Sequence, residues 1–333
     1  MKLSMLAACG VLGLVVGCSG GEESFEDDPT EEDEQALASG YRARVTTNPS
    51  RVIVGAPTQL DVRVTGPRST PVTQFDPLHT QAMHLIAVSS DLEDFVHVHP
   101  ALQPGGGLTV SATFSRSEPY TLFMEYDPAG AAGQTLSRAS VKPIGAQPVA
   151  PLLSQAAAFG GSVSKAVVVG ATKVELVGTP GGMIMANTPT HLVVQFRKTS
   201  GAPISDLTDW LGMPAHGIIV SPDLKTFVHA HGMSESAGGG AGGHGGHGNG
   251  AAGSTTTGPV GIDVTLPKAG LYKMFVQFKR GTTVLTAPFV LSVMASHGPP
   301  TPPPPATATC ATTRCPTGQS CMVMGSPPSP MCM

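Results

Sequence analysis

An internal repeat is the feature that most constrains the fold of this chain. Residues 57–99 align without a gap with residues 189–231. The strongest block, His-Leu-Ile-Ala-Val-Ser-Ser-Asp-Leu-Glu-Asp-Phe-Val-His-Val-His at 84–99, matches His-Gly-Ile-Ile-Val-Ser-Pro-Asp-Leu-Lys-Thr-Phe-Val-His-Ala-His at 216–231. Beyond this block the second copy carries a Gly-rich insertion at 237–257. The repeat predicts two copies of one domain.

Both copies show the residue alternation of β-strands. Leu60, Val62 and Val64 alternate with polar residues, and residues 260–266 repeat the pattern. Such alternation is typical of half-buried antiparallel strands, and the 41 Gly and 31 Pro among 333 residues disfavour long helices. We predict an all-β fold of two tandem antiparallel β-sandwiches, immunoglobulin-like or cupredoxin-like. The predicted segments are sandwich 1 at 41–145, a linker at 146–169 and sandwich 2 at 170–294.

The two copies resemble a group of bacterial exported domains. The motif His-Leu-Ile-x-Val-Ser-x-Asp-Leu-x-x-Phe-x-His-x-His, followed by strand entries at Tyr120 and Tyr272, is similar to the YtkA-like and FixH-related β-sandwich domains. The resemblance covers both predicted sandwiches. It implies an extracytoplasmic sandwich, in some members associated with copper handling.

Three histidines recur at matching positions in the two copies. His97 and His99 lie two residues apart in a strand, so their side chains leave the same face of the sheet, about 6 to 7 Å apart. If Val88 pairs with Phe95, the antiparallel register places His84 opposite His99. The three imidazoles then converge, and the second copy repeats the arrangement. The predicted metal ligands are His84, His97 and His99 in the first copy and His216, His229 and His231 in the second.

Three neutral imidazoles with an open coordination position suit Cu(II) or Zn(II). We expect copper, one equivalent in each copy, with the two copies alike and with binding that weakens as pH falls through about 6.5. Met83 and Met213 lie close in sequence and are kept only as possible additional ligands. The alternative is a metal-free ladder of hydrogen-bonded histidines. His79 and His191 have no counterpart in the other copy and are predicted to be surface residues.

The N-terminus indicates export and a lipid anchor. Lys2 precedes an apolar run at 3–16 that ends in Val15-Val16-Gly17-Cys18, which resembles a bacterial lipobox and implies cleavage before Cys18 and lipidation of its sulfur. An ordinary secretory signal at 1–18 is the alternative. Residues 19–40 contain nine acidic side chains between Glu22 and Glu34 and predict a disordered tether. The remaining charge is small and scattered, so we expect no nucleic-acid partner.

The C-terminus predicts a small cysteine module. A Pro-rich linker at 295–309 precedes the module at 310–333, whose four cysteines predict two disulfides because so short a segment cannot bury its own core. The pairing stays open among three possibilities. The cysteine spacing resembles the hairpin that opens follistatin-like modules, which implies contacts with proteins or glycans. The four cysteines are Cys310, Cys315, Cys321 and Cys332.

These features predict a lipid-anchored extracytoplasmic protein, at the outer membrane, that binds a transition metal for sequestration or delivery. A protein partner that exchanges metal is expected. The alternative function is a metal-free surface interaction protein in which the sandwiches act as spacers. No hydrolase or phosphate-binding motif is found in the sequence, and no carboxylate is expected beside the histidines as an obvious general base, so we do not expect an enzyme.

Overall fold

The structure is a computed structural model that describes residues 40–146, 166–178, 183–235, 255–256, 258–296, 316–317, 321–324 and 329–332. Cys18, the acidic tether, most of the Gly-rich insertion, and Cys310 with Cys315 lie outside the described residues. Among the described residues, no helix has the length and apolar character that crossing a bilayer requires.

The first repeat forms two facing antiparallel sheets. One sheet has the order β1-β2-β7-β6, and the other contains β5-β4-β8-β9, with β3 also paired to β8. The strands are β1 (Arg42–Asn48), β2 (Pro57–Thr65), β3 (Phe75–Asp76), β4 (Met83–Ser89), β5 (Phe95–Val98), β6 (Ala101–Leu102), β7 (Leu108–Thr113), β8 (Tyr120–Pro128) and β9 (Thr135–Val141). The apolar residues that alternate along β2 and β7, among them Leu60 and Leu108, face the core between the sheets.

The second repeat has the same sandwich, with a short extra strand at its start. The strands are β10 (Ala166–Val169), β11 (Thr172–Gly178), β12 (Ile184–Met185), β13 (Thr190–Lys198), β14 (Leu207–Thr208), β15 (Ala215–Val220), β16 (Phe227–Ser234), β17 (Thr255–Thr256), β18 (Val260–Val264), β19 (Gly270–Arg280) and β20 (Thr283–Met294). Strand β10 precedes the predicted start at residue 170. The prediction of two antiparallel β-sandwiches is confirmed.

One strand shows how the two copies differ. In the second repeat β16 continues from the β15 sheet into the β18 sheet, because Gly232 pairs with both Ala215 and Ile262. In the first repeat Pro100 occupies the position that matches Gly232, and it separates β5 from β6. Proline has no backbone N–H and therefore interrupts a ladder. In both copies this part of the chain passes from one sheet of the sandwich to the other.

The strands that carry the histidines are buried on both faces. All seven residues of β4 are buried. Met83, Leu85 and Ala87 point into the core of the first sandwich, whereas Ile86 and Val88 point outward into a separate apolar cluster. A strand buried on both faces must be covered by a second layer on its outer side.

The second layer is the other repeat. The outward cluster of β4 joins residues from both sandwiches, including Ile218, Val220 and Leu224 of the second. Phe95 stacks on Phe275, and Phe227 stacks on Phe123, each with ring centroids 4.5 Å apart. These two pairs occupy matching positions of the repeat, so the repeats pack about a pseudo-twofold axis as in an isologous dimer. We call this contact the repeat interface.

The repeat interface also contains a buried ion pair. Lys273 is 1% exposed, and its Nζ lies 3.7 Å from Oε1 of Glu93 on the other repeat. Burial lowers the pKa of Lys273 and raises that of Glu93, and the opposite charge of each partner limits the shift of the other. Removal of either partner would leave an uncompensated charge in the repeat interface, which destabilises the packed state.

A hairpin is described in the C-terminal module. Strands β21 (Cys321–Met324) and β22 (Ser329–Cys332) are antiparallel, and Cys321 is the direct partner of Cys332 in the register. The Cα separation of such partners falls within the range that a disulfide spans. The two disulfides stay a prediction, since Cys310 and Cys315 are outside the described residues.

Candidate metal centre

The predicted strand register is present in both repeats. Val88 pairs with Phe95 and Ile86 with His97. In the second repeat Ile218 pairs with His229 and His216 with His231. Because residues two apart share a face of the sheet, the three histidines of each copy leave the same face, which is the one turned towards the other repeat.

The histidines converge into two groups of three. His84, His97 and His99 form the first triad, and His216, His229 and His231 form the second. In each triad the three ring nitrogens lie within 4.8 Å of one another. The first histidine of each triad is buried and the other two are half-buried. Separations of this size are suitable for three nitrogen ligands around one metal ion.

Hydrogen bonds determine which nitrogens of the first triad are free. His84 Nε2 donates to the Leu78 carbonyl oxygen at 3.0 Å, and His97 Nδ1 donates to Gln277 Oε1 at 2.6 Å. In the neutral rings, His84 Nδ1 and His97 Nε2 therefore carry lone pairs, and they face each other at 3.1 Å. His99 Nε2 lies 3.2 Å from the same His97 nitrogen. The opposed lone pairs of His84 and His97 repel at this distance unless a cation lies between them.

The second triad has the same arrangement. His216 Nε2 donates to the Trp210 carbonyl oxygen at 2.9 Å, and His229 Nδ1 donates to Glu125 Oε2 at 2.6 Å. His229 Nε2 and His216 Nδ1 are left facing each other at 3.4 Å. His231 Nε2 is buried without a hydrogen-bond partner. A buried nitrogen without a partner is costly, and a metal ion is one way to satisfy it.

Each triad is oriented partly by the opposite repeat. Gln277, which holds His97 of the first triad, belongs to the second repeat, and Glu125, which holds His229 of the second triad, belongs to the first. Metal-binding histidines commonly donate their second ring N–H to a carboxylate or carbonyl oxygen in this way. The geometry of both triads therefore depends on the repeat interface.

The two triads are also neighbours in space. The ring centroids of His84 and His229 are 5.3 Å apart, and those of His97 and His229 are 5.7 Å apart. Trp210 lies against both triads, with its ring 5.3 Å from His97 and 5.1 Å from His216. The six histidines form one cluster with two groups of candidate ligands.

Three expectations about nearby residues need correction. His79 is not an isolated surface residue, because its ring packs 3.8 Å from that of His231 on the other repeat. Met83 points into the sandwich core and is not a ligand. A carboxylate does lie beside the histidines, because the fold brings Glu125 to His229. His191 is partly exposed, as expected, and bonds to Asp263 and Glu235.

Burial controls the charge of the cluster. It lowers the pKa of all six histidines, to about 3 for His99 and His216, and the neighbouring imidazoles lower most of them further. Burial raises the pKa of Glu125 to about 7. The expectation that metal binding weakens near pH 6.5 used the value of a free imidazole. Because the buried rings stay neutral at lower pH, we expect metal binding to weaken at a lower pH than 6.5.

A sequence model of one protein family matches both repeats. The family is described as a domain of unknown function (DUF8832), and the matched residues are 36–142 and 167–295, together more than half of the chain. The chain belongs to this family. The resemblance to YtkA-like and FixH-related domains is separate from this match and stays an expectation from the sequence. No curated protein matches the chain.

Solved structures with a similar arrangement of strands are distant. The Escherichia coli adhesin FdeC shares 13% identity over 77% of this chain and 65% of its own, with a TM-score of 0.22. The Yersinia pseudotuberculosis adhesin InvE shares 12% identity over 77% and 60%, with a TM-score of 0.23. Fibronectin(III)-like modules of Clostridium thermocellum CbhA share 10% identity over 76% and 94%, with a TM-score of 0.20. Likeness at this level carries no argument about function.

The lowered pKa values predict how the metal-free protein responds to acid. Below pH 6.5 the histidines of the unfolded chain take up protons, whereas in the folded chain His99 and His216 stay neutral to about pH 3 and burial lowers the pKa of the other four as well. The unfolded state then binds more protons, so the free energy of unfolding falls as pH falls through this range. Glu125 and Glu93, whose pKa values burial raises, act in the opposite direction, but they are two groups against six. Urea unfolding in EDTA between pH 7.5 and pH 4 measures the slope.

The expected slope corresponds to more than one proton taken up on unfolding. His231→Gln removes one of these groups and serves as the comparison, since its slope should be smaller. A free energy of unfolding that stays constant from pH 7 to pH 4 would show that the histidines are not buried as neutral rings.

Proposed function

We propose that the chain is a lipid-anchored extracytoplasmic protein that binds two transition-metal ions, copper in preference to zinc, for sequestration or delivery. The observation that carries the proposal is the pair of lone-pair nitrogens on His84 and His97, 3.1 Å apart with both ring N–H groups engaged elsewhere. The second triad repeats the feature and adds the unpartnered nitrogen of His231. A metal ion at the centre of each triad satisfies all of these atoms.

The donor set favours copper or zinc. Three imidazole nitrogens and an open coordination position suit Cu(II) and Zn(II), and in a site of this kind Cu(II) binds more tightly. With Met83 in the sandwich core, no thioether ligand favours Cu(I) in the first triad. The resemblance to exported domains associated with copper handling supports the same choice.

The two metal ions would lie close to each other. A metal lies about 3 Å from the centre of each imidazole ring that it binds, so the 5.3 Å between the rings of His84 and His229 limits the two metals to a separation of about 12 Å or less. His99 and His231, the less buried histidines of the two triads, offer a route for metal entry and exit. Such access fits sequestration or delivery to a protein partner.

The metal-free alternative has a specific difficulty. A ladder of hydrogen-bonded histidines needs one ring N–H for each contact between rings. In the first triad, His84 and His97 both use their N–H groups on other partners, the Leu78 carbonyl and Gln277. The ladder would then leave lone pairs opposed inside a buried cluster, which favours metal binding over a spacer role.

The first test of this proposal is metal binding. The purified chain should bind two equivalents of Cu(II) tightly, measured by isothermal titration together with elemental analysis. His97→Ala with His99→Ala should remove one equivalent, and His229→Ala with His231→Ala the other, because each pair takes two of three ligands from one site. Deletion of the Gly-rich tract 237–257 is the matched control, and it should leave tight binding intact.

Two results would contradict the ligand assignment. A folded variant that lacks all four of these histidines and still binds two equivalents would place the sites elsewhere. Wild-type protein that binds no Cu(II) and no Zn(II) at micromolar concentration would favour the surface interaction protein without metal.

The second test concerns the anchor. The residues around Cys18 support lipidation, and the acyl chains would then hold the protein to the membrane. Cys18→Ser should release the protein into the soluble fraction, whereas Cys9→Ser, earlier in the same apolar run, should not. Membrane fractionation distinguishes the two, and a Cys18→Ser protein retained like wild type would disprove the anchor.

A further inference from the structure

The two triads have matching ligands but different partners behind them. Glu125 holds His229 of the second triad, and Gln277 occupies the matching position of the repeat and holds His97 of the first. The residue that supports each partner also differs, with Gln134 next to Glu125 and Thr286 next to Gln277. Gln134 and Thr286 again occupy matching positions. Among the groups that hydrogen-bond to the triads, the difference is therefore confined to one carboxylate and its neighbour.

The bond from the histidine has the same direction in both networks, whereas the bond to the outer neighbour is reversed. Both oxygens of Glu125 accept, one from His229 Nδ1 at 2.6 Å and the other from Gln134 Nε2 at 3.0 Å. Gln277 accepts from His97 through Oε1 and donates through Nε2 to Thr286 Oγ1 at 3.3 Å. A carboxyl group whose two oxygens both accept is arranged as an ionised carboxylate. The second triad thus has a carboxylate behind a ligand, ionised above its raised pKa of about 7, and the first has a neutral amide.

This charge changes the ligand. An imidazole that donates to a carboxylate is a stronger electron donor to a metal than one that donates to an amide, and it binds a dication more tightly. The same electron donation stabilises Cu(II) relative to Cu(I). The expectation that the two copies behave alike does not take this difference into account.

We infer that Glu125 makes the His216/His229/His231 triad the tighter site and holds its copper in the cupric state, whereas Gln277 leaves the His84/His97/His99 triad as the weaker site, easier to reduce and to empty. This inference rests on the proposed function, since it assigns different tasks to two metal sites. The tighter site retains metal, and the weaker site exchanges metal with a partner.

The test exchanges the two partner residues. In titrations of the full chain with Cu(II), wild type should show two separate steps of one equivalent each. Glu125→Gln should weaken the tighter step about tenfold or more, within the range of effects that outer partners of metal ligands have. Gln277→Glu should strengthen the weaker step. Both substitutions preserve side-chain shape, so a change in affinity reports the charge.

Site assignment and redox behaviour complete the test. His99→Ala should remove the weaker step and His231→Ala the tighter one. In reductive titrations followed by the Cu(II) electron paramagnetic resonance signal, Glu125→Gln should raise the reduction potential of the copper reduced last. A purely structural role for Glu125 would weaken binding without this shift, and Gln277→Glu would then give no gain in affinity.

A second interface carboxylate provides the control. Glu93→Gln removes a negative charge at the same repeat interface, where the carboxylate pairs with Lys273 and not with a histidine. It should lower stability while both copper affinities stay within a factor of about two of wild type. Repulsion between two nearby dications also separates the two binding steps. The response of the steps to Glu125→Gln therefore tests the role of the carboxylate, and their separation in wild type does not.

The outcomes separate this inference from the proposed function. Absence of copper binding in wild type contradicts the proposed function. Two equivalents bound with affinities that Glu125→Gln and Gln277→Glu leave unchanged overturn the inference and preserve the proposed function. Loss of both steps in Glu93→Gln would also overturn it, because affinity would then follow interface stability and not the charge behind His229.

Discussion

The packing of one repeat against the other is the contact on which the rest of the structure depends. It covers the outer faces of β4 and β15, which would otherwise expose Ile86, Val88 and their counterparts. The same contact brings Gln277 to His97 and Glu125 to His229. Apolar burial supplies most of the driving force, and the polar groups determine the orientation of the imidazoles. A histidine triad on an isolated repeat would lack one of its orienting partners.

Duplication followed by divergence explains the pseudo-twofold symmetry of the two repeats and the positions at which they differ. Two copies of one sandwich, packed through the same face, place two triads side by side without any new element of structure. The stacked pairs Phe95–Phe275 and Phe123–Phe227 preserve the symmetry, with centroid separations of 4.5 Å in both. Divergence at Glu125 and Gln277 breaks the symmetry beside one histidine of each triad. Matching loops of the two repeats also contribute different residues to the histidine cluster. The first repeat contributes His79 and the second contributes Trp210.

Much of each sandwich could be predicted from local pattern. Alternating apolar residues and the gapless repeat predicted the strands, and the spacing of Val88 and Phe95 predicted the register that brings His84 towards His99. The repeat interface was missed, although the unbroken apolar run from Leu85 to Val88 is a signal of a strand buried on both faces. Glu125 and Gln277 could not be assigned to the triads from spacing, because each lies on the opposite repeat. Their roles depend on long-range packing that strand periodicity does not encode.

If packing of the repeats builds both proposed metal sites, a comparison of two variants tests this dependence most directly. Phe123→Ala removes a ring from the repeat interface, whereas Phe289→Ala removes a ring of the same size from the core of the second sandwich. Each should lower the free energy of unfolding by about 3 to 5 kcal/mol. Copper titration of the two folded variants should show weaker binding at both sites in Phe123→Ala and wild-type affinity in Phe289→Ala. Two tight equivalents retained by Phe123→Ala would contradict the account.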